Sequence, residues 1–228
     1  MPEEAAMRNG VLTWARGALA AAALAAAPGY AVPPSPEEIA QICANAEGPS
    51  HCGRLIEEVQ LKRLPNLAVR DGATLRVSLY PAGVATLADT AALNGGRSYS
   101  LWDYVSELNA VVLYTTDGDD VSFTVLQRAT ARKTELPSDP KVSPDHGHIV
   151  TADFCEKRCV NELAVWSVTR DGIVKAMTWK PREAWTDAAA SWKSAQTISI
   201  EYTAAGAQAS STIERRLGDP GWVRVSAP

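Results

Sequence analysis

The sequence lacks the charge of a nucleic-acid binder and the apolar length of a membrane-embedded chain. Lysine and arginine number 22 against 26 aspartates and glutamates, and the formal net charge is −4. Nucleic-acid binding requires a basic patch that neutralises phosphates. Beyond the N-terminal region, no apolar run approaches the roughly 20 residues of a membrane-spanning helix. We therefore expect neither a nucleic-acid partner nor a membrane span.

Motifs of the common enzyme classes are also missing. The chain contains no Gly-x-Ser-x-Gly elbow, zincin motif, phosphate-binding loop or dinucleotide fingerprint. A serine or cysteine nucleophile needs a histidine beside it, and neither His146 nor His148 lies in a signature for that role. Paired carboxylates for glycoside hydrolysis leave no signature, so a hydrolase stays open as an alternative. No cofactor is expected.

The N-terminus has the composition of an export signal. Arg8 and Arg16 supply positive charge around the start of the apolar run 17–27, which is too short to span a bilayer. Small residues follow, and they predict cleavage before Val32. Residues 1–31 are therefore interpreted as a signal peptide, and the mature protein is expected to be periplasmic or secreted.

The four cysteines form two close pairs, Cys43 with Cys52 and Cys155 with Cys159. An even number of cysteines in an exported chain is typical of disulfides. Three pairings are formally possible, and the local one is favoured because each pair brackets a turn. A redox or metal site at Cys155-Glu-Lys-Arg-Cys159 is the alternative, but the spacing is neither a C-x-x-C motif nor a zinc knuckle.

A helical hairpin is predicted over residues 32–65. Ser35 is placed to cap a first helix, with Pro36 at its first position and Glu38 three residues after the cap. A second helix starts at Ser50 and must stop before the proline at position 65. The first cysteine pair would tie the two helices into a cap on the rest of the chain.

From residue 66 the apolar period changes to that of strands, which predicts a β-repeat domain over residues 66–228. Asp-Gly pairs at 71–72, 117–118 and 171–172 suit the positive-φ turns of hairpins. The segment 180–194 is interpreted as a loop or a helical turn. The predicted strands cover residues 67–70, 74–80, 84–87, 98–104, 110–114, 121–126, 148–153, 162–168, 173–179, 197–202, 210–217 and 222–225.

Part of this region resembles a β-propeller blade. Val142-Ser-Pro-Asp145, followed by His148-Ile-Val-Thr-Ala152, is similar to the Ser-Pro-Asp-Gly openings of Tol-type periplasmic propellers, with His146 in place of the glycine. Leu163-Ala-Val-Trp166, with Asp171-Gly172 after it, resembles Trp-Asp-repeat blades. The resemblance spans about residues 98–217 and implies antiparallel, blade-like sheets.

Chain length limits this interpretation. Blades take about 40–45 residues each and known rings have four or more, so residues 66–225 hold three or four. A partial or small propeller, an open stack of sheets and a ring closed by two copies in a homodimer all remain open. An ordinary antiparallel β-sandwich fits the same strands.

Two groups of residues suggest metal ions. His146 and His148, with Asp145 and Asp153, form the densest cluster of potential ligands, although solvated positions in a turn and at a strand start explain both histidines. The acidic run 117–120 suggests calcium. Its glycine stands at the wrong position for an EF-hand loop, and hairpin turn chemistry accounts for it. No metal site is therefore predicted.

Trp185 and Trp192 are the candidate binding residues. Both lie in the segment 180–194 among mixed charges, as in an interaction hot spot. Packing is the alternative, and it is favoured for Trp192, which precedes a strand. We expect an exported, non-enzymatic module that binds a protein or another partner in a bacterial-type cell envelope. The alternative is a periplasmic hydrolase, which would show titratable residues converging in a deep pocket.

Overall fold

The chain folds into two short helices and four antiparallel sheets in the computed structural model, which describes residues 33–90 and 96–225. The predicted mainly β, antiparallel class is confirmed, and the described sheets do not close into a barrel. The predicted signal, residues 1–31, lies outside the described residues. Within the described ranges, no helix has the length and apolarity to cross a bilayer.

The N-terminal helical hairpin is present as predicted. Helix α1 covers Pro36–Ile42 and helix α2 covers Pro49–Arg63. The Glu38 N–H donates to the Ser35 hydroxyl at 3.2 Å, which caps the first helix. A Cys43–Cys52 disulfide joins the two helices. Ile56 of α2 lies in an apolar cluster with side chains of the sheets, so the hairpin is anchored to the β region.

Fifteen strands make up the four described sheets. The first sheet consists of β1 (Ala68–Asp71), β2 (Thr74–Ser78) and β3 (Val84–Ala88). The second consists of β4 (Arg97–Val105), β5 (Ala110–Asp117), β6 (Asp120–Gln127) and β7 (Arg132–Leu136). The third consists of β8 (Lys141–Val142), β9 (His148–Asp153), β10 (Glu162–Thr169), β11 (Gly172–Trp179) and the C-terminal β15 (Val223–Arg224). The fourth consists of β12 (Trp185–Ser194), β13 (Thr197–Ala204) and β14 (Ser211–Arg216).

The prediction for the segment 180–194 is wrong, because ten of its residues form strand β12. The strand pairs with β13 from Trp185 opposite Ala204 to Ser194 opposite Thr197. Three consecutive alanines favour a helix over a strand in this segment, but pairing with β13 and burial override that helix preference. Strands β7 and β8 were likewise not predicted.

The two middle sheets are covered on both faces. In the second sheet, Val111 and Leu113 pack against the first sheet, while Val112 packs against the third. In the third sheet, Trp166 packs toward the second sheet and Val165 toward the fourth. Successive side chains of a strand point to opposite faces, so a strand buried on both sides is apolar at consecutive positions.

The outer sheets are apolar on one face only. Leu75 and Val77 of the first sheet are buried, and Arg76 between them is exposed. Ile198 and Ile200 of the fourth sheet are buried in the same alternating manner. Three apolar clusters thus join the sheets in chain order, and β15 returns to pair with β11 of the third sheet.

Candidate functional site: a cleft bordered by three edge strands

A cleft of about 550 Å³ opens where the second, third and fourth sheets meet. The strands β4, β8 and β12 contribute to it, and each is the edge strand of its own sheet. An edge strand presents main-chain N–H and C=O groups that its own sheet does not pair. The lining is formed by residues 102–107, Val112, residues 139–144, His146, Ser191, Trp192 and Pro33.

Two of these edge strands are irregular where they reach the cleft. The pairing of β4 with β5 shifts between Leu101 and Asp103, so Trp102 is an additional residue on β4. The pairing of β12 with β13 shifts in the same way between Trp192 and Ser194. Such bulges bend a strand and change the direction of its side chains, and they are frequent beside binding sites.

Two tryptophans line the cleft in different ways. Trp102 is buried and its ring stacks on Tyr114 with centroids 5.4 Å apart. Trp192 is half-buried, and its indole N–H donates to the Lys141 carbonyl oxygen at 2.8 Å. This hydrogen bond links the fourth sheet to the third and fixes the orientation of a ring that remains partly open to the cleft.

Asp103 is the most unusual ionisable group in the cleft. It is only 9% exposed, and its Oδ1 has no hydrogen-bond partner among the described residues. Burial raises the pKa of Asp103 to about 6, against the opposing effect of the Tyr104 backbone N–H. The negative charges of Asp139 and Glu107 also raise this pKa, whereas Lys141 lowers it.

The other charged groups of the cleft leave it acidic. Lys141 pairs with Asp139 at 2.5 Å. Glu107 is exposed, and its own backbone N–H, followed by the Ser106 hydroxyl, lowers its pKa. Among the described residues, neither Asp103 nor Glu107 forms an ion pair. A ligand that carries positive charge would therefore meet carboxylates that have no ion pair among the described residues, with Lys141 and His146 as the nearest positive groups acting on them.

The structure separates the two tryptophans that the sequence placed together. Trp185 is 4% exposed and stacks on Tyr202 with ring centroids 4.0 Å apart. It also lies against Phe154 and Trp179. A buried ring cannot form a surface hot spot, so the binding prediction for Trp185 is corrected to packing. Trp192 packs against the third apolar cluster, as was favoured, and it also lines the cleft.

The weak metal candidates do not converge. His146 lies in an exposed turn and His148 at the start of β9, whereas Asp153 ends the same strand and accepts the Val160 N–H at 2.9 Å. No group of three or more potential ligands comes together anywhere in residues 33–90 and 96–225. The acidic run suggested for calcium forms the β5–β6 hairpin turn, where Gly118 has a positive φ and Asp120 pairs with Arg158.

The four cysteines and Ser143 of the cleft lining have structural roles. The cysteines form the predicted second disulfide, Cys155–Cys159, and none of the four is free. The buried Ser143 donates to the Asp145 carboxylate at 2.6 Å and accepts the His148 N–H at 2.9 Å. Its hydroxyl thus organises the turn before β9.

Sequence reasoning missed the carboxylates Asp103, Glu107 and Asp139. One usable signal was present, because Asp103 interrupts the apolar and aromatic segment Leu101–Tyr104 of a predicted strand. A charged residue at such a position is buried only if a site requires it or a partner compensates it.

Comparison of the chain with protein-family models, curated proteins and solved structures finds no match, so the blade resemblance stays a prediction.

Proposed function

We propose that this protein is an exported binding module that holds a segment of a cell-envelope partner in the cleft. The observation that carries the proposal is the meeting of three edge strands around an open groove with a partly exposed indole. Aromatic side chains and unpaired strand edges are the surfaces on which polypeptides are commonly recognised. Two disulfides agree with an oxidising compartment such as the periplasm.

Site-specific photo-crosslinking in the native compartment tests this proposal. A benzophenone side chain at Ser191, which is exposed in the cleft, should trap a discrete partner. The matched control is the same group at Thr212, which is exposed on β14 and does not line the cleft. Identical adducts from both positions, or none from Ser191, would contradict binding in the cleft.

One observation favours a hydrolase as a second candidate function. A buried carboxyl with a raised pKa, beside two further carboxylates in a cleft, is the arrangement from which acid catalysis is built. The purified protein would be incubated with envelope glycans and peptides, and new reducing ends and free amines would be measured. Turnover that disappears in Asp103→Asn would select the hydrolase. If the wild type shows no turnover and Ser191 traps a crosslinked partner, the binding module is supported.

A further inference from the structure

We infer that the cleft recognises a basic side chain, arginine above all, on an extended segment of the partner protein. The inference rests on the proposed binding function and specifies its ligand. Three independent features of the cleft support it: a buried carboxylate without an ion pair among the described residues, an indole face without a cation, and the convergence of strand edges.

The carboxylate supplies the charge complementarity. Asp103 Oδ1 is buried and has no donor among the described residues, and Glu107 at the cleft rim has no ion-pair partner among them either. Oδ1 itself is closed to solvent, so a ligand would meet the part of the Asp103 carboxylate that lines the cleft, and a charged N–H donor is the strongest partner for it. The cation within the cleft, Lys141, is already paired with Asp139. The cation that would pair with Asp103 and Glu107 is therefore expected to arrive with the ligand.

The aromatic surface points to a guanidinium. Two other half-buried tryptophans in the described structure, Trp179 and Trp222, share the guanidinium of Arg215, whose Cζ lies 4.5 and 5.8 Å from their ring centroids. Trp192 has no cation over its ring among the described residues; its aromatic neighbour is His148 at 6.2 Å. A guanidinium both stacks on an indole and binds a carboxylate through two N–H groups, which an ammonium cannot do.

The strand edges point to a polypeptide as the carrier of that group. Strands β4, β8 and β12 each pair on one side only, and all three contribute to the lining. An extended peptide can hydrogen-bond to such edges through its main chain while a side chain enters a pocket. A sugar would satisfy the carboxylate but would make no use of the strand edges.

Fluorescence polarisation with two labelled peptides tests the inference. The probes are Gly-Ala-Ser-Arg-Ser-Ala-Gly and the same peptide with glutamine in place of arginine, and the protein is the mature, disulfide-bonded chain. The arginine peptide should bind about tenfold tighter or more, as expected for a hydrogen-bonded charge pair. Asp103→Asn should reduce its affinity to that of the glutamine peptide. Trp192→Leu should weaken it severalfold.

The control variant is Asp171→Asn, which removes the same charge from an exposed hairpin turn outside the cleft lining and keeps a turn-compatible residue. It should bind the arginine peptide like the wild type, and circular dichroism should show that all variants are folded. Equal affinity for both peptides overturns the inference. The inference is also overturned if a chitosan oligomer displaces the labelled arginine peptide at a lower concentration than the unlabelled arginine peptide does. If the Ser191 crosslink persists in either case, the binding function stands and only the choice of ligand fails.

Discussion

At the scale of single residues, the contacts around each tryptophan decide whether it packs in the core or is accessible for binding. Trp185 and Trp192 lie on one strand, seven positions apart. The first is enclosed between Phe154 and Tyr202, whereas the second contacts β8 at the rim of the cleft. A binding role is therefore open to Trp192 and closed to Trp185.

Truncation of the two tryptophans should separate packing from binding. Trp185→Ala removes a fully enclosed ring and should lower the free energy of unfolding by about 3–5 kcal/mol. Trp192→Ala should cost clearly less, because that ring is half-exposed. Urea unfolding followed by circular dichroism measures both values. Equal losses for the two variants would place Trp192 in the core as well.

The buried carboxyl of Asp103 should make stability depend on pH. Its pKa is raised from 3.8 to about 6 in the folded state, so between these values the folded protein binds more protons than the unfolded one. The contribution of Asp103 to stability is therefore complete below about pH 4 and decreases as pH rises to about 6. The loss is at most about 3 kcal/mol, and it levels off at higher pH.

The matched measurement compares the wild type with Asp103→Asn across this pH range. In the difference between their free energies of unfolding, the contributions of the titratable groups that both proteins share cancel. As pH rises from about 4 to about 6, the free energy of unfolding of the wild type should fall relative to that of Asp103→Asn. Above that range the difference should stay constant. A difference that does not vary with pH would show that Asp103 titrates normally.

At the scale of elements, one buried glutamate connects α2 to two sheets. Glu57 accepts hydrogen bonds from Arg70 of β1 at 2.8 and 2.7 Å and from the Leu101 N–H of β4 at 2.9 Å. Arg54, on the preceding turn of α2, pairs with the same carboxylate at 3.1 Å. Burial raises the pKa of Glu57 to about 7, and the Leu101 N–H and Arg54 oppose that shift. The network fixes where the helix rests on β4.

Removal of this carboxylate should be costly. Glu57→Ala leaves the Leu101 N–H without its acceptor and removes one acceptor of Arg70, which keeps the Tyr99 carbonyl oxygen and Asp89, and it should lower the free energy of unfolding by about 2–3 kcal/mol. The control is Glu58→Ala, because the neighbouring side chain is exposed, and it should change stability by less than about 0.5 kcal/mol. Chemical denaturation measures both variants. Similar effects for the two would mean that the network does not anchor the helix.

At the scale of the whole molecule, the sheets differ in how deeply they are buried. The second and third sheets contribute to two apolar clusters each, whereas the first and the fourth contribute to one each. Opening an inner sheet exposes apolar surface on two faces. Opening an outer sheet exposes it on one face, so the outer sheets require less free energy to open.

Hydrogen exchange should therefore rank the sheets. Amides of β5 and β10, at the centres of the inner sheets, should exchange most slowly. Amides of β2 and β13, which are also central strands but belong to outer sheets, should exchange faster and provide the matched comparison. Peptide-resolved mass spectrometry measures this order. Equal protection of all four strands would indicate a single cooperative unit.

Several local features could be predicted from the sequence because they depend on residues close together in the chain. Ser35 caps a helix through an N–H three residues away, and Gly72 permits a turn between two adjacent strands. Each disulfide closes a short loop, so proximity in sequence was enough to predict its partner. The strand period gave the mainly β class for the same reason.

The candidate site could not be predicted, because its parts come together only when the sheets pack. Residues 102–107, 139–144, 146 and 191–192 come from edge strands of three sheets and the segments beside them, and no local period relates them. Strand β12 forms although its alanines favour a helix, since pairing with β13 and burial of its side chains outweigh a small propensity. The sequence by itself determined the caps, turns, disulfides and strand class. Only the tertiary structure decided which carboxylate of the cleft is buried without an ion pair and which tryptophan faces the cleft, because both depend on contacts between distant segments.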